Sequence, residues 1–197
     1  MRRASLLAFA VLLSTVFSAC TPSEPLVSAR PPRGNANGII RVVEYTDLQC
    51  PACQVVHKGV VLPILQKYGS VIRLDFKHFP LRSVHRFALD AAEASECAAD
   101  QGKFWEFVDL SFEQQSRLSY DALLSWAGIL KLDVSTFESC WKSRSKRDLV
   151  LADEDEGQKL GVEGTPTFFV NGQQVEAGFD TLSAAIEAAV KTMQQKL

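Results

Sequence analysis

Residues 39–53 read Ile39-Ile40-Arg41-Val42-Val43-Glu44-Tyr45-Thr46-Asp47-Leu48-Gln49-Cys50-Pro51-Ala52-Cys53. The first seven are β-branched or apolar apart from Arg41 and Glu44, which predicts a strand suited to burial on both faces. A short loop, residues 46–49, leads into the two cysteines. A helical pattern then runs to about Tyr68, with Val55, Val56, Val60, Leu62 and Leu65 as its apolar positions, and Pro63 predicts a kink in it. Val71 to Phe79 predicts a second strand that ends at Pro80. Strand, helix and strand in this order form a βαβ unit with a parallel pair.

The position of the cysteines matters more than their spacing. Disulfide exchange needs one thiolate that attacks and a second thiol that resolves the mixed disulfide. Cys50 falls where a loop ends and a helix begins, and the unpaired amides and dipole there favour an anion. Thiols so placed have pKa values of roughly 3.5–7.5. Pro51 suits the first turn, where its missing N–H costs nothing. Cys53, one turn further, is the expected buried resolving thiol. Two other readings compete. A structural zinc site usually takes four ligands, whereas Cys97 and Cys140 are single and His57, His78 and His85 have no paired spacing. An inert bridge across two residues closes a tiny loop and stabilises little. The exchange reading needs no metal and no cofactor, because the thiols carry the electrons.

Further along, residues 84–98 are Ala-rich, and 101–115 carry Phe104, Trp105, Phe107 and Phe112. Residues 119–131 carry Leu123, Leu124, Trp126 and Leu130, and 133–142 and 144–160 also read as helix. Thr167-Phe168-Phe169-Val170 and Gln173-Gln174-Val175 predict two strands around Asn171-Gly172, a strong hairpin signal. Residues 181–195 predict a closing amphipathic helix. The order β-α-β, helices, β-β-α is an α/β chain: a thioredoxin fold with an inserted helical subdomain. The expected divisions are 38–83 for the first half, 84–160 for the insertion and 161–197 for the second half.

Upstream, Arg2 and Arg3 precede an apolar run from Leu6 to Phe17, then Ser18, Ala19 and Cys20. A positive start, an apolar stretch and small residues predict a signal peptide over 1–19. Phe17-Ser18-Ala19-Cys20 resembles a bacterial lipoprotein box, which implies lipidation of Cys20, although Phe17 stands where that pattern usually has Leu. Residues 20–37, rich in Pro, Gly and Asn, read as a tether. The expected location is therefore extracytoplasmic or periplasmic, on a membrane through a lipid. With 21 basic and 23 acidic residues the net charge is −2, which lacks the basic footprint of a nucleic-acid binder.

Glu44 to Cys53, together with Gly161-Val162-Glu163-Gly164-Thr165-Pro166-Thr167-Phe168-Phe169-Val170-Asn171-Gly172, resembles the DsbA-like thiol–disulfide oxidoreductases over residues 38–197. The resemblance implies a cis peptide before Pro166, beside the cysteines. It implies a substrate strand pairing with the Thr165 backbone, next to Pro51, Ala52 and Pro166. It also implies that Glu44 lies buried behind the pair and moves a proton to or from Cys53; the competing reading of Glu44 is a solvated strand charge. Ala52 departs from the family, whose strongly oxidising members often carry His there. Some relatives also carry a second bridge, and with Cys50 and Cys53 paired, Cys97–Cys140 is the expected structural disulfide.

The leading expectation is an enzyme that gives disulfides to exported proteins and is recharged by a membrane redox partner. A reductase or isomerase fed by a membrane electron donor is the alternative. A tethered peptide-binding holdase is a third reading.

Overall fold

The computed structural model describes residues 27–195. The expected signal peptide and Cys20 lie outside the described residues. Strand β2 (Ile40–Thr46) is the centre of the fold. It pairs in parallel with β3 (Ile72–His78), from Ile40 opposite Ile72 to Thr46 opposite His78. On its other side it runs antiparallel to β4 (Thr167–Val170), which is joined by a hairpin to β5 (Gln173–Val175). With β1 (Arg33–Gly34) at the far edge, the order is β1-β3-β2-β4-β5. The hairpin turns through Asn171 and Gly172, both at positive φ, 48° and 85°, as a tight two-residue turn between twisted strands requires.

Alternation along the strands sorts side chains into two layers. Ile40, Val42, Ile72, Leu74, Phe168 and Val170 face one side. There they pack on the helical segments after β2, α1 (Pro51–Val56) and α2 (Leu62–Tyr68). The last helix, α8 (Phe179–Gln194), covers the same side through Leu182 and Ile186. Val43, Tyr45, Phe79 and Phe169 face the other. Between β3 and β4 come α3 (Ala88–Ala99), α4 (Phe104–Glu113), α5 (Tyr120–Ile129), α6 (Val134–Lys142) and α7 (Arg147–Lys159). This inserted helical unit has its own aromatic core of Phe104, Phe107, Phe112, Trp126 and Phe137, and that core is continuous with Leu48, Cys50 and Cys53. Gly157 of α7 rides directly on the sheet: a Cβ there would come within 2.8 Å of Phe79 and 2.9 Å of Tyr45.

The kink expected at Pro63 takes a different form. Residues His57–Val61 form a π-helical turn between α1 and α2. Pro63 has no N–H to offer the Gly59 carbonyl, so the ladder widens just upstream.

The described part of the expected tether is a correction to the sequence reading. Residues 33–34 add a strand to the sheet edge, with Arg33 opposite Leu74 and Gly34 opposite Arg73. Pro31 accepts a hydrogen bond from Trp105 Nε1 at 2.9 Å. The Arg30 guanidinium is held between the carboxylates of Glu96 on α3 and Asp153 on α7. The segment looks like a linker because its partners are 66 and 123 residues away, beyond any local pattern.

Arg30 thus neutralises two largely buried carboxylates. Burial would raise the Glu96 pKa, but His78, Arg30 and Ser28 outweigh it and bring it down to about 2. Because that folded pKa is depressed, the stabilisation is complete above the unfolded carboxylate pKa and is lost as pH falls towards 2. Arg30→Met should cost about 3–5 kcal/mol in urea denaturation at neutral pH and move acid unfolding to higher pH. A true tether would lose under about 0.5 kcal/mol.

Candidate active site

The loop from β2 to α1 is fixed before the first cysteine is reached. Asp47 is buried, and its carboxylate accepts from the backbone N–H of Gln49 at 2.7 Å, from that of Leu81 at 2.9 Å and from His85 Nδ1 at 2.8 Å. Gln49 Oε1 accepts from the Phe87 N–H at 2.6 Å. The Gln115 side-chain amide donates to the carbonyls of Leu48 and Cys50, each at 3.0 Å. Cys50 then sits at the N-cap of α1 in extended conformation (φ −73°, ψ 121°), with Pro51 in the first turn.

Both cysteines are thiols. Cys50 is 6 % exposed and Cys53 is wholly enclosed. The Cys50 thiol faces the Thr165 carbonyl at 3.5 Å, and the Thr165–Pro166 peptide is cis. Pro51 and Ala52 are exposed beside it. The sequence-predicted set Cys50, Pro51, Ala52, Cys53, Thr165 and Pro166 is therefore brought to the head of one helix.

The two thiols have opposite proton affinities. The hydrogen bond from the Cys53 thiol does most to lower the Cys50 pKa, to about 5; burial opposes it, and the Cys53 and Ala52 backbone amides and Thr165 add to it. Burial, then the neighbouring Cys50, pushes the Cys53 thiol far up. At neutral pH the reduced pair is a thiolate at the surface with a thiol beneath it.

Glu44 is 1 % exposed, which removes the reading of a solvated strand charge. Burial raises its pKa to about 7, against the pull of His57, Thr46 and Arg33. Neither carboxylate oxygen has a hydrogen-bond partner, nor do the buried hydroxyls of Thr46 and Thr165. The Thr46 hydroxyl biases Glu44 and Cys53 alike. Thr46 is thus the buried hydroxyl that lies near both Glu44 and Cys53, a polar group between them able to pass a proton.

Cys97 and Cys140 are bonded to each other, with S–S 2.01 Å, and Cys97 lies in the same apolar cluster as Cys50 and Cys53. Sequence reasoning missed Thr46, Asp47, His57 and Gln115. Asp47 carried a local signal, an Asx turn closed on Gln49. His57, stacked on Phe112 and bonded through Nε2 to Asp109 at 2.9 Å, carried none, nor did Gln115.

A family profile described as Thioredoxin matches residues 28–188. BdbD of Bacillus subtilis superposes with a TM-score of 0.73 at 25 % identity, over 83 % of this chain and 94 % of that one. The α-DsbA1 protein of Wolbachia pipientis superposes with a TM-score of 0.68 at 25 % identity, over 82 % and 89 %. A protein named Na(+)/H(+) antiporter NhaA 3 from Salinispora tropica is 40 % identical over 159 residues, 80 % of this chain and 24 % of that protein. The chain thus spans about a quarter of the length of the curated relatives it matches, and the antiporter name is that of the longer proteins. No described helix is long and apolar enough to cross a membrane.

Thiolate absorbance of the reduced protein should titrate with a midpoint near 5, and Cys53→Ala should raise that midpoint. Since the folded Cys50 pKa is depressed, the reduced form is stabilised above the ordinary thiol pKa of about 8.5. It should lose that stability as pH falls through 5, measured as a narrowing gap between the melting temperatures of the reduced and oxidised forms. A midpoint above 8 would remove this assignment.

Proposed function

This chain belongs to the thioredoxin family as a DsbA-like thiol–disulfide oxidoreductase, and from that membership we propose that it donates disulfides to exported, cysteine-containing proteins. The observation that supports the direction is Cys50 at the N-cap of α1 over a wholly enclosed Cys53, which lowers the proton affinity of the first and raises that of the second. Stabilising the reduced pair makes its disulfide a stronger oxidant.

The exchange runs in two displacements. A client thiolate attacks Cys50 Sγ of the oxidised pair; the Cys50–Cys53 bond breaks, and Cys53 leaves with the electron pair and takes up a proton. A second client thiolate attacks the client sulfur of the mixed disulfide, and Cys50 leaves as a thiolate. The client loses two electrons and the pair gains them. A membrane redox partner then takes those two electrons and restores the disulfide. Glu44, titrating near neutrality, gives Cys53 its proton in the first direction and takes it back on recharging.

The client lies extended against the cis-proline loop, its backbone beside Thr165 and Pro166, with Pro51 and Ala52 flanking the reacting sulfur. The Cys97–Cys140 bond is structural and fits an oxidising compartment. A lipid on Cys20 anchors the protein to a membrane outside the cytoplasm. Ala52 favours a second reading, since a side chain without a donor leaves the thiolate to the Cys53 thiol, the helix end and Thr165. In that reading the pair is fed electrons and acts as reductase or isomerase.

Cys53→Ala should accumulate mixed disulfides on Cys50 with extracytoplasmic proteins, and Cys50→Ser should abolish both trapping and oxidation of a reduced client. A peptide-binding holdase would keep its function in Cys50→Ser. An equilibrium with glutathione well above thioredoxin's potential supports donation; a potential at or below thioredoxin's assigns the reductase direction. For Glu44, the single-turnover rate of recharging should rise as pH passes through about 7. Glu44→Gln should lose that rise and run about a hundredfold slower above it; a profile like wild type would remove Glu44 from proton transfer.

A further inference from the structure

We infer that Gln115 is a positioning residue for Cys50: reaching from the helical insertion, its amide holds the two carbonyls of the redox loop and so keeps the Cys50 sulfur over the open amides of α1. The inference rests on the exchange reading of the Cys50 site. It concerns a side chain that contributes no sulfur, proton or client contact to that chemistry.

Gln115 lies in a single 3₁₀ turn, Gln115–Arg117, that follows α4. That turn is held by its surroundings: Trp126 Nε1 donates to the side chain of neighbouring Gln114 at 3.2 Å, and the Leu118 N–H donates to the Gln115 carbonyl at 3.0 Å. From there Gln115 Nε2 donates to Leu48 O and to Cys50 O, each at 3.0 Å. Both partners are carbonyl acceptors, so only the nitrogen end of the amide can face them, and its two N–H bonds serve one carbonyl each. The Cys50 carbonyl also receives the Gln54 N–H at 3.1 Å, the first bond of the α1 ladder. Two further links cross the same seam: Phe87 N–H to Gln49 Oε1, and Gln54 Nε2 to the Phe112 carbonyl.

The consequence is electrostatic. A carbonyl oxygen carries the negative end of the peptide dipole, and two of them flank a sulfur that must carry a negative charge. The α1 ladder already holds the Cys50 carbonyl; the Leu48 carbonyl, left to rotate, could turn towards that sulfur and oppose ionisation. Gln115 engages both carbonyls and so fixes the peptide planes of the loop around Cys50, whose sulfur then stays by the amides of Ala52 and Cys53. It is pre-organisation of the charged state by a donor that never touches the charge.

Gln115→Met keeps the length and volume of the side chain but has no donor. Its Cys50 thiolate midpoint should rise by about one unit. Its equilibrium with glutathione should move about tenfold towards the disulfide form, a drop of about 30 mV in potential. Its reduced form should lose more melting temperature than its oxidised form. Gln115→Glu, which presents oxygen to both carbonyls, should shift each quantity further the same way. A Gln115→Met protein with wild-type midpoint and wild-type glutathione equilibrium overturns the inference and leaves Gln115 as packing. Where that variant fails to fold, the wild-type side-chain amide decides. Its two protons should be protected from solvent exchange in the reduced protein, and exchange as fast as in free glutamine overturns the inference. A wild-type protein that exchanges no disulfides at all would instead overturn the functional reading.

Discussion

Cys53 is sealed from water while Cys50, three residues away, keeps an edge at the surface, and the remaining architecture serves that difference. An enclosed thiol cannot ionise cheaply, because transfer of a charge out of water is costly. It therefore donates its hydrogen to Cys50 and stabilises charge there. The enclosure is not provided by the βαβ half alone. The floor is the sheet at Phe76, while the wall is the aromatic core of the insertion, which runs without a break into Leu48, Cys50 and Cys53. The insertion is thus part of the redox centre, and the residue before the cis peptide, Thr165, meets the Cys50 thiol through its carbonyl.

Ion pairs rather than apolar contacts join the layers at the opposite edge. Arg30 spans Glu96 and Asp153, Lys77 reaches Asp153 and Glu156, and the Glu96 carboxylate also meets His78 Nε2 at 3.0 Å. One network therefore ties the N-terminal segment to α3, α7 and β3. Arg33 makes a second tie, gripping Asp109 through two bonds at 2.7 and 2.9 Å, and Asp109 in turn holds His57. The buried pairs among these, Arg30 with Glu96 and Asp153, add little net stability over apolar packing, but losing one partner is expensive. Their contribution here is register: they hold the segment through Pro31 and Pro32 with Arg33 opposite Leu74.

The legible parts of the sequence were those whose physics is local. β-branched runs, the Asn171-Gly172 turn and the position of Cys50 before Pro51 each act within a few residues, and strands β4 and β5 fall where the hairpin signal places them. The cis peptide at Thr165–Pro166 was accessible only through resemblance, while the Cys97–Cys140 bond was reached from the cysteines left over once Cys50 and Cys53 are taken together. Residues 28–37 were misread because Pro and Gly density reports the absence of local structure and says nothing of distant partners. Arg30 and Arg33 are ordinary surface residues until α3, α4 and α7 bring carboxylates to them. Gln115 is the same problem in reverse: a polar residue between two helices, given its role by a loop 65 residues upstream.

The opposed proton affinities of the two sulfurs also couple redox poise to pH. Between about pH 5 and the ordinary thiol pKa near 8.5, a client dithiol enters exchange with two protons and the reduced pair keeps only one, on Cys53. Oxidising a client therefore releases one proton to solvent. The equilibrium must then favour the client disulfide by about tenfold more for each unit that pH rises within that window. Below pH 5 the Cys50 thiolate is itself protonated, no net proton is released, and the dependence vanishes. Glu44, with its pKa inside the window, leaves this balance intact wherever its protonation is alike in the oxidised and reduced forms. Its influence then falls on rate, through the buried Cys53 that no solvent proton reaches directly. Thermodynamic drive and kinetic access are thus assigned to different groups: Cys50 sets how strongly the disulfide is given away, and the residues behind Cys53 set how fast.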